Sequence, residues 1–220
     1  MKKLVIFDLD GTLLDTLDDL TAATNHALCL HGLPARSIDE VRAFVGNGIP
    51  KLAERAVPAG TDAATEAAVL KELLSYYQAH CKERTRPYPG VSDLLGKLKA
   101  RKIKTAVVSN KADAAVQALC EDYFPGLCDF CVGETADVRK KPAPDTVFAA
   151  LTRLKTDKAD AVYVGDSEVD VATAKNAGLP CLSVTWGFRD EKTLLDAGAT
   201  TPVPDVKTLE RLLLPTETTA

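Results

Sequence analysis

Four short runs of apolar, mostly β-branched residues constrain this chain most: Leu4 to Phe7, Thr105 to Val108, Val162 to Val164, and Cys181 to Val184. They are nearly uninterrupted by polar residues, as strands are when both faces of a parallel sheet are covered. Helical patterns fall near 93–102, 112–121, 145–155 and 168–177, and the last meets a stop signal, Gly178 followed by Pro180. Strand and helix in alternation predict a doubly wound parallel-sheet α/β core.

One region breaks the alternation. From Thr16 to about Arg84 the periodicity is helical and no strand is read. Leu17, Leu20, Ala27 and Leu28 trace one stripe with Thr24 between them, and Gly32 and Pro34 end it. Ser37-Ile-Asp-Glu40 has the form of a capping box. Leu70, Leu73, Leu74 and Tyr77 form a further stripe. The expectation is a discontinuous core, 1–15 and 86–220, with a helical cap domain, 16–85, inserted after the first strand. The tail from Pro215 to Ala220 is expected to fray.

A chain of 220 residues, 46% apolar and 26% charged, fills a globular core without staples. Its net charge of −4 and lack of a long basic run argue against nucleic acid or an anionic membrane as partner. No stretch is long and apolar enough to span a bilayer, and Met1-Lys2-Lys3 leads into a strand rather than a secretory signal. Six scattered cysteines, read as free thiols, suit a reducing cytoplasm. Cys128 and Cys131 have CxxC spacing, but no second pair or nearby histidine completes a tetrahedral set. They read as structural thiols on a half-buried strand.

In parallel α/β sheets ligands gather at the carboxyl ends of strands. After the first run comes Asp8-Leu-Asp10-Gly11, two carboxylates at i and i+2 ahead of a sharp turn. Like charges so close need a cation or a proton between them. After the second run come Ser109, Asn110 and Lys111, a set able to cradle phosphate oxygens at a helix start. After the third come Gly165-Asp166 and, a helical turn on, Asp170. Carboxylates converging from two strands suit Mg²⁺, which takes hard oxygen ligands; the plain alternative is capping of a helix N-terminus. Lys141 precedes Pro142 and Pro144, where a stiff loop would aim its ammonium inward.

Together Asp8-Leu-Asp10-Gly-Thr12, Ser109, Lys141-Pro142 and Gly165-Asp166-Ser-x-x-Asp170 resemble the four motifs of the haloacid dehalogenase superfamily, in order and over nearly the whole chain. The resemblance implies a Rossmann-like core with the first type of cap. It also implies that Asp8 attacks phosphorus and that Asp10 serves as acid and then base. Mg²⁺ would sit on the Asp8 and Asp166 carboxylates and the Asp10 carbonyl, with Asp170 and Asn110 supporting. Ser109 and Lys141 would bind the phosphoryl oxygens. The acid at Asp10 disfavours dehalogenation.

Within the superfamily the chain looks most like the phosphoglycolate phosphatases, on Phe44 to Gly48 and Ser183 to Gly187. That branch implies hydrolysis of a small phosphorylated metabolite, 2-phosphoglycolate first. In the cap, Gly46, Asn47 and Gly48 precede a helix pattern and could receive an anion, with Arg42, Lys51 and Arg55 as nearby cations; an ordinary turn with surface charges reads equally well. A pyrophosphatase, a sugar-phosphate phosphatase and a β-phosphoglucomutase-like enzyme stay open. The mutase is disfavoured by Leu20, where mutases resemble one another in carrying histidine. From another class, a receiver-like phosphoacceptor domain also uses an acid cluster and a lysine, but it lacks a helical insertion. Monomer and dimer are both compatible with the sequence.

Overall fold

The computed structural model describes residues 2–215. The expected frayed tail beyond Pro215 lies outside the described residues. The chain divides into two compact units, Met1–Leu13 with Pro87–Ala220, and Leu14–Arg86.

The first unit is built on β1 (Leu4–Phe7), β4 (Lys104–Ala112), β5 (Phe130–Glu134), β6 (Ala161–Gly165), β7 (Cys181–Val184) and β8 (Pro202–Val203). They form one sheet in the order β5-β4-β1-β6-β7-β8, with neighbouring strands parallel. β1 is central and buried on both faces, which is why its sequence shows no alternation. Its neighbours come from opposite directions of the winding, so the crevice at the carboxyl ends of β4, β1 and β6 is the topological switch point of the sheet.

One face of the sheet packs on α7 (Asp145–Arg153) and α8 (Glu168–Ala177): Leu4, Ile6, Ala106, Val108 and Tyr163 meet Val147, Ala150 and Ala174. α5 (Val91–Ala100) and α6 (Asp113–Tyr123) pack on β4. α9 (Glu191–Asp196) and α10 (Val206–Leu213) complete the unit. Burial of each large aliphatic chain here contributes roughly 1.5–3 kcal/mol. α8 ends at Gly178, whose φ of 72° is the left-handed cap that the sequence signals.

The second unit contains α1 (Leu17–Leu30), α2 (Ile38–Phe44), α3 (Ile49–Ala56) and α4 (Ala63–His80). α1 packs on α4 and α2, and α3 on α2 and α4. The capping box at α2 is formed: Ser37 Oγ accepts from Glu40 N at 3.2 Å, and Glu40 Oε2 accepts from Ser37 N at 2.7 Å. The stripe expected on α4 is corrected. Val69, Leu73 and Tyr77 are its buried line, while Leu74 is 43% exposed. Spacing of i, i+4, i+8 keeps those three on one side, and Leu74, five residues past Val69, rotates away from them.

Buried Asp19 joins the two ends of this unit. Its carboxylate accepts from Arg84 N at 3.0 Å, Thr85 N at 2.9 Å and Thr85 Oγ1 at 2.8 Å. Beside it, β2 (Leu14–Asp15) and β3 (Arg86–Pro87) pair as a two-stranded ribbon. No helix among the described residues is long and apolar enough to cross a membrane.

Candidate active site

The carboxyl ends of β1, β4 and β6 carry the acids and polar groups singled out in the sequence. Asp8 follows β1, and its backbone N–H is fixed by Val164 O at 2.9 Å. Its side chain is held by Leu9 N, which donates to Oδ1 at 2.7 Å. Gly11 then turns the chain at φ 87°, and a Cβ there would collide with the Asp166 carboxylate. Glycine is required at this position on both counts.

Asp166 leaves β6 and is buried. Thr12 Oγ1 donates to its Oδ1 at 3.1 Å, and Phe188 N to its Oδ2 at 2.7 Å. Asp170 sits one turn into α8, fully enclosed. It completes a capping box with Ser167 and also receives Lys141 Nζ at 2.8 Å and Tyr163 OH at 2.8 Å on Oδ1. Asp170 therefore caps α8 and holds Lys141 at the same time.

Lys141 Nζ also lies 2.7 Å from Asp8 Oδ1. Its loop is held by Asn110 through two reciprocal bonds: Asn110 Nδ2 donates to Lys141 O at 3.1 Å, and Lys141 N to Asn110 Oδ1 at 2.7 Å. Asn110 thus orients the lysine from the neighbouring strand. β4 runs on through Ser109, Asn110 and Lys111 to Ala112, with a register shift against β5 after Val108. The helix expected from 112 begins at Asp113, and Ser109, Asn110 and Lys111 belong to the bulged strand ahead of it.

Carboxylate oxygens of Asp8, Asp166 and Asp170 lie within 4.8 Å of one another. Burial, then the Asp170 charge, pushes Asp8 well above the ordinary carboxylate range, against the pull of Lys141. The same two causes raise Asp166 to about 7, against its bonds from Phe188 and Thr12. Burial acts on Asp170 too, but Lys141 outweighs it and holds that carboxyl low. For Lys141, burial is outweighed by Asp170 and Asp8, so the ammonium is retained. Three buried carboxylates share one lysine, and that excess of negative charge is what a hard divalent cation relieves. Asp8 and Asp166 fit that role best, since Asp170 is saturated by Lys141, Tyr163 and Ser167.

Asp10 stands apart from this cluster: its Oδ1 lies 3.1 Å from Lys111 Nζ. Lys111 is buried, and its backbone N–H donates to Ser109 Oγ at 3.2 Å. The sequence grouped Lys111 with the phosphate cradle without pairing it to Asp10, quoted Thr12 in the first motif without a role, and passed over Tyr163. A tyrosine inside an otherwise aliphatic strand was the available signal for the third. Trp186 packs beside the site, with Nε1 donating to Thr12 O at 3.1 Å.

The candidate cap residues all lie in the second unit, and the three cations are partnered there. Arg42 pairs with Asp39 at 2.7 Å, and Lys51 pairs with Glu54. Arg55 donates to Phe44 O at 2.7 Å and to Asn47 Oδ1 at 2.9 Å, so it braces the turn through Gly46, Asn47 and Gly48. Gly48 is the N-cap of α3.

The sequence pattern of the haloacid dehalogenase-like hydrolases matches residues 5–184. The chain is similar to phosphoglycolate phosphatase 1 of Pseudomonas aeruginosa, 32% identical over 216 residues that cover 95% of this chain and 79% of that protein. Among solved structures, it is similar to a Lactobacillus delbrueckii subsp. bulgaricus protein provisionally named a phosphoglycolate phosphatase. That match has 36% identity and a TM-score of 0.93, covering 98% of this chain and all of the other. It is also similar to CbbY from Rhodobacter sphaeroides, solved with phosphate, at 26% identity and a TM-score of 0.70, covering 92% and 94% of the two chains. With residues 5–184 matched and a phosphatase relative 32% identical over 95% of this chain, the chain belongs to the haloacid dehalogenase-like hydrolases and is one of their phosphatases.

Proposed function

We propose that this phosphatase is Mg²⁺-dependent, acts through a covalent phosphoaspartate on Asp8, and takes 2-phosphoglycolate as its substrate. The observation that supports the mechanism is the setting of Asp8, a strand-end carboxylate with Lys141 Nζ at 2.7 Å and Asp166 beside it. The relatives named phosphoglycolate phosphatases support the substrate.

In the first half-reaction an Asp8 oxygen attacks phosphorus, the ester P–O bond breaks, and Asp10 gives its proton to the leaving alkoxide. In the second, Asp10 takes a proton from water, the water oxygen attacks phosphorus, and the P–O bond to Asp8 breaks to release phosphate. Asp8 and Asp166 would hold Mg²⁺, with Asp10 contributing its carbonyl; the ion would offset repulsion between the anionic nucleophile and the anionic ester. Lys141 and Ser109 would bind the phosphoryl oxygens, and Lys111 keeps the Asp10 side chain placed. Gly46, Asn47, Gly48, Arg42, Lys51 and Arg55 enter only as candidates for recognising the substrate's other anionic group. A cytoplasmic location belongs to the same reading.

A panel of 2-phosphoglycolate, pyrophosphate, hexose phosphates and a pentulose bisphosphate, assayed with Mg²⁺, tests the substrate. The highest kcat/KM should fall on 2-phosphoglycolate. A higher value on a sugar bisphosphate would replace that substrate and leave the mechanism standing. The mechanism is tested separately by acid-quench trapping of labelled phosphate on the wild-type enzyme; a lack of covalent label under single turnover would sink it.

A further inference from the structure

Away from the phosphoryl site, three cysteines converge near the amino end of β5. Cys128 and Cys131 flank the start of that strand, and Cys120 reaches them from the last turns of α6. The three Sγ atoms lie within 4.8 Å of one another. The sequence offered only the CxxC pair; the structure supplies a third thiol that spacing along the chain did not reveal.

We propose that Cys120, Cys128 and Cys131 bind one thiophilic divalent cation of the zinc class, with the fourth ligand position facing solvent. In a tetrahedral site with Zn–S bonds of about 2.3 Å, sulfurs stand roughly 3.8 Å apart. The sulfurs here need to close by at most about 1 Å, within reach of small side-chain rotations. A disulfide would use two of the three and leave the third thiol beside it, whereas a cation uses all three. Sulfur donors select a soft or borderline ion over Mg²⁺, so this site does not compete for the cation of the carboxylate cluster.

The fourth position has room. A cavity of about 360 Å³ is lined by Cys120, Cys128, Cys131, Gln117, Asp129 and Arg153. A water or Asp129 would complete the tetrahedron, and Arg153, which also lines the cavity, would offset the excess negative charge of three thiolates. On binding, the thiol protons pass to solvent. The bound ion would clip α6 to the start of β5, at the edge of the sheet.

The test uses the full chain, reduced, freed of thiols under nitrogen, and kept in excess Mg²⁺, with Co²⁺ as the probe. The expected result is one equivalent of Co²⁺ bound with thiolate-to-metal charge-transfer absorption, displaced by Zn²⁺. Cys131→Ser should abolish the absorption, and Cys120→Ser and Cys128→Ser should each weaken binding by about tenfold or more. Mg²⁺-supported phosphatase turnover should be unchanged in all three variants. A wild-type protein without charge-transfer absorption overturns the site, as does a band that persists at full strength in every variant. Should the variants not fold, reaction of the wild-type thiols with a chromogenic disulfide decides. Zn²⁺ should protect three of the six cysteines, and equal rates with and without Zn²⁺ overturn the proposal.

Discussion

Lys141 Nζ stands 2.8 Å from Asp170 Oδ1, with only 3% of one side chain and none of the other open to solvent. An ion pair so enclosed is poor evidence for stability by itself, because desolvating both charges costs about what their attraction returns. Its value lies in placement. Asp170 fixes the ammonium from behind, and the same ammonium reaches Asp8 at 2.7 Å on its other side.

Replacing Asp170 with Asn should therefore harm both stability and catalysis. Removing Asp170 leaves Asp8 as the carboxylate facing the buried lysine, so the loss should stay below the about 3–5 kcal/mol of a fully broken buried pair. Thermal unfolding with and without substrate should show that loss. kcat should also drop by roughly 10²-fold, the scale for a displaced electrostatic group. A variant with wild-type kcat would deny Asp170 its positioning role.

Asp8→Asn should abolish turnover and leave the fold intact, since the amide keeps the side chain's shape but is no nucleophile. Circular dichroism should match the wild type, and no phosphoenzyme should be trapped. Near-normal activity would remove the covalent mechanism.

The raised Asp166 makes metal binding pH-dependent. Its folded-state value near 7 lies above the ordinary 3.8, so the folded protein holds this proton more tightly than the unfolded chain. Its contribution to the stability of the metal-free protein is fully present below about pH 4 and is lost as pH rises towards 7. Mg²⁺ must displace that proton and any held by Asp8, so its affinity should rise by at least about tenfold per pH unit from about pH 5 to 7. Thermal shift titrations with Mg²⁺ at each pH measure this; a Kd constant across the range contradicts it.

Much of this site was legible because its residues directly succeed strands that betray themselves. β1, β4, β6 and β7 are apolar runs covered on both sides, and the residues just past such a run are constrained to the sheet's edge. β2, β3 and β8 are two residues long, too short to carry any period. The pairing of Lys111 with Asp10 was not legible, because a lysine next to an asparagine gives no sign of its burial. Its burial depends on β4 running past Val108, which is a matter of pairing with β5 rather than of local propensity. Cys120 and the CxxC pair lie on different elements, and sequence spacing alone does not report a meeting between a helix and the strand after it.

Asp19→Ala should destabilise the second unit by about 3 kcal/mol. A buried carboxylate that accepts from Arg84 N, Thr85 N and Thr85 Oγ1 leaves these donors unpaired when removed. Chemical denaturation should show the loss, and hydrogen exchange should locate it at residues 84 and 85. Unaltered protection of those amides would mean that other contacts hold the chain there.

The same carboxylate bears on how such a chain could have come about. Because one side chain near the departure point grips the backbone at the return point, the inserted stretch begins and ends at a shared locus, the condition under which a segment can be spliced into a host without stretching it. A module closed at its own neck is free to be lengthened, trimmed or exchanged by recombination, while the acids at the strand tips stay in place.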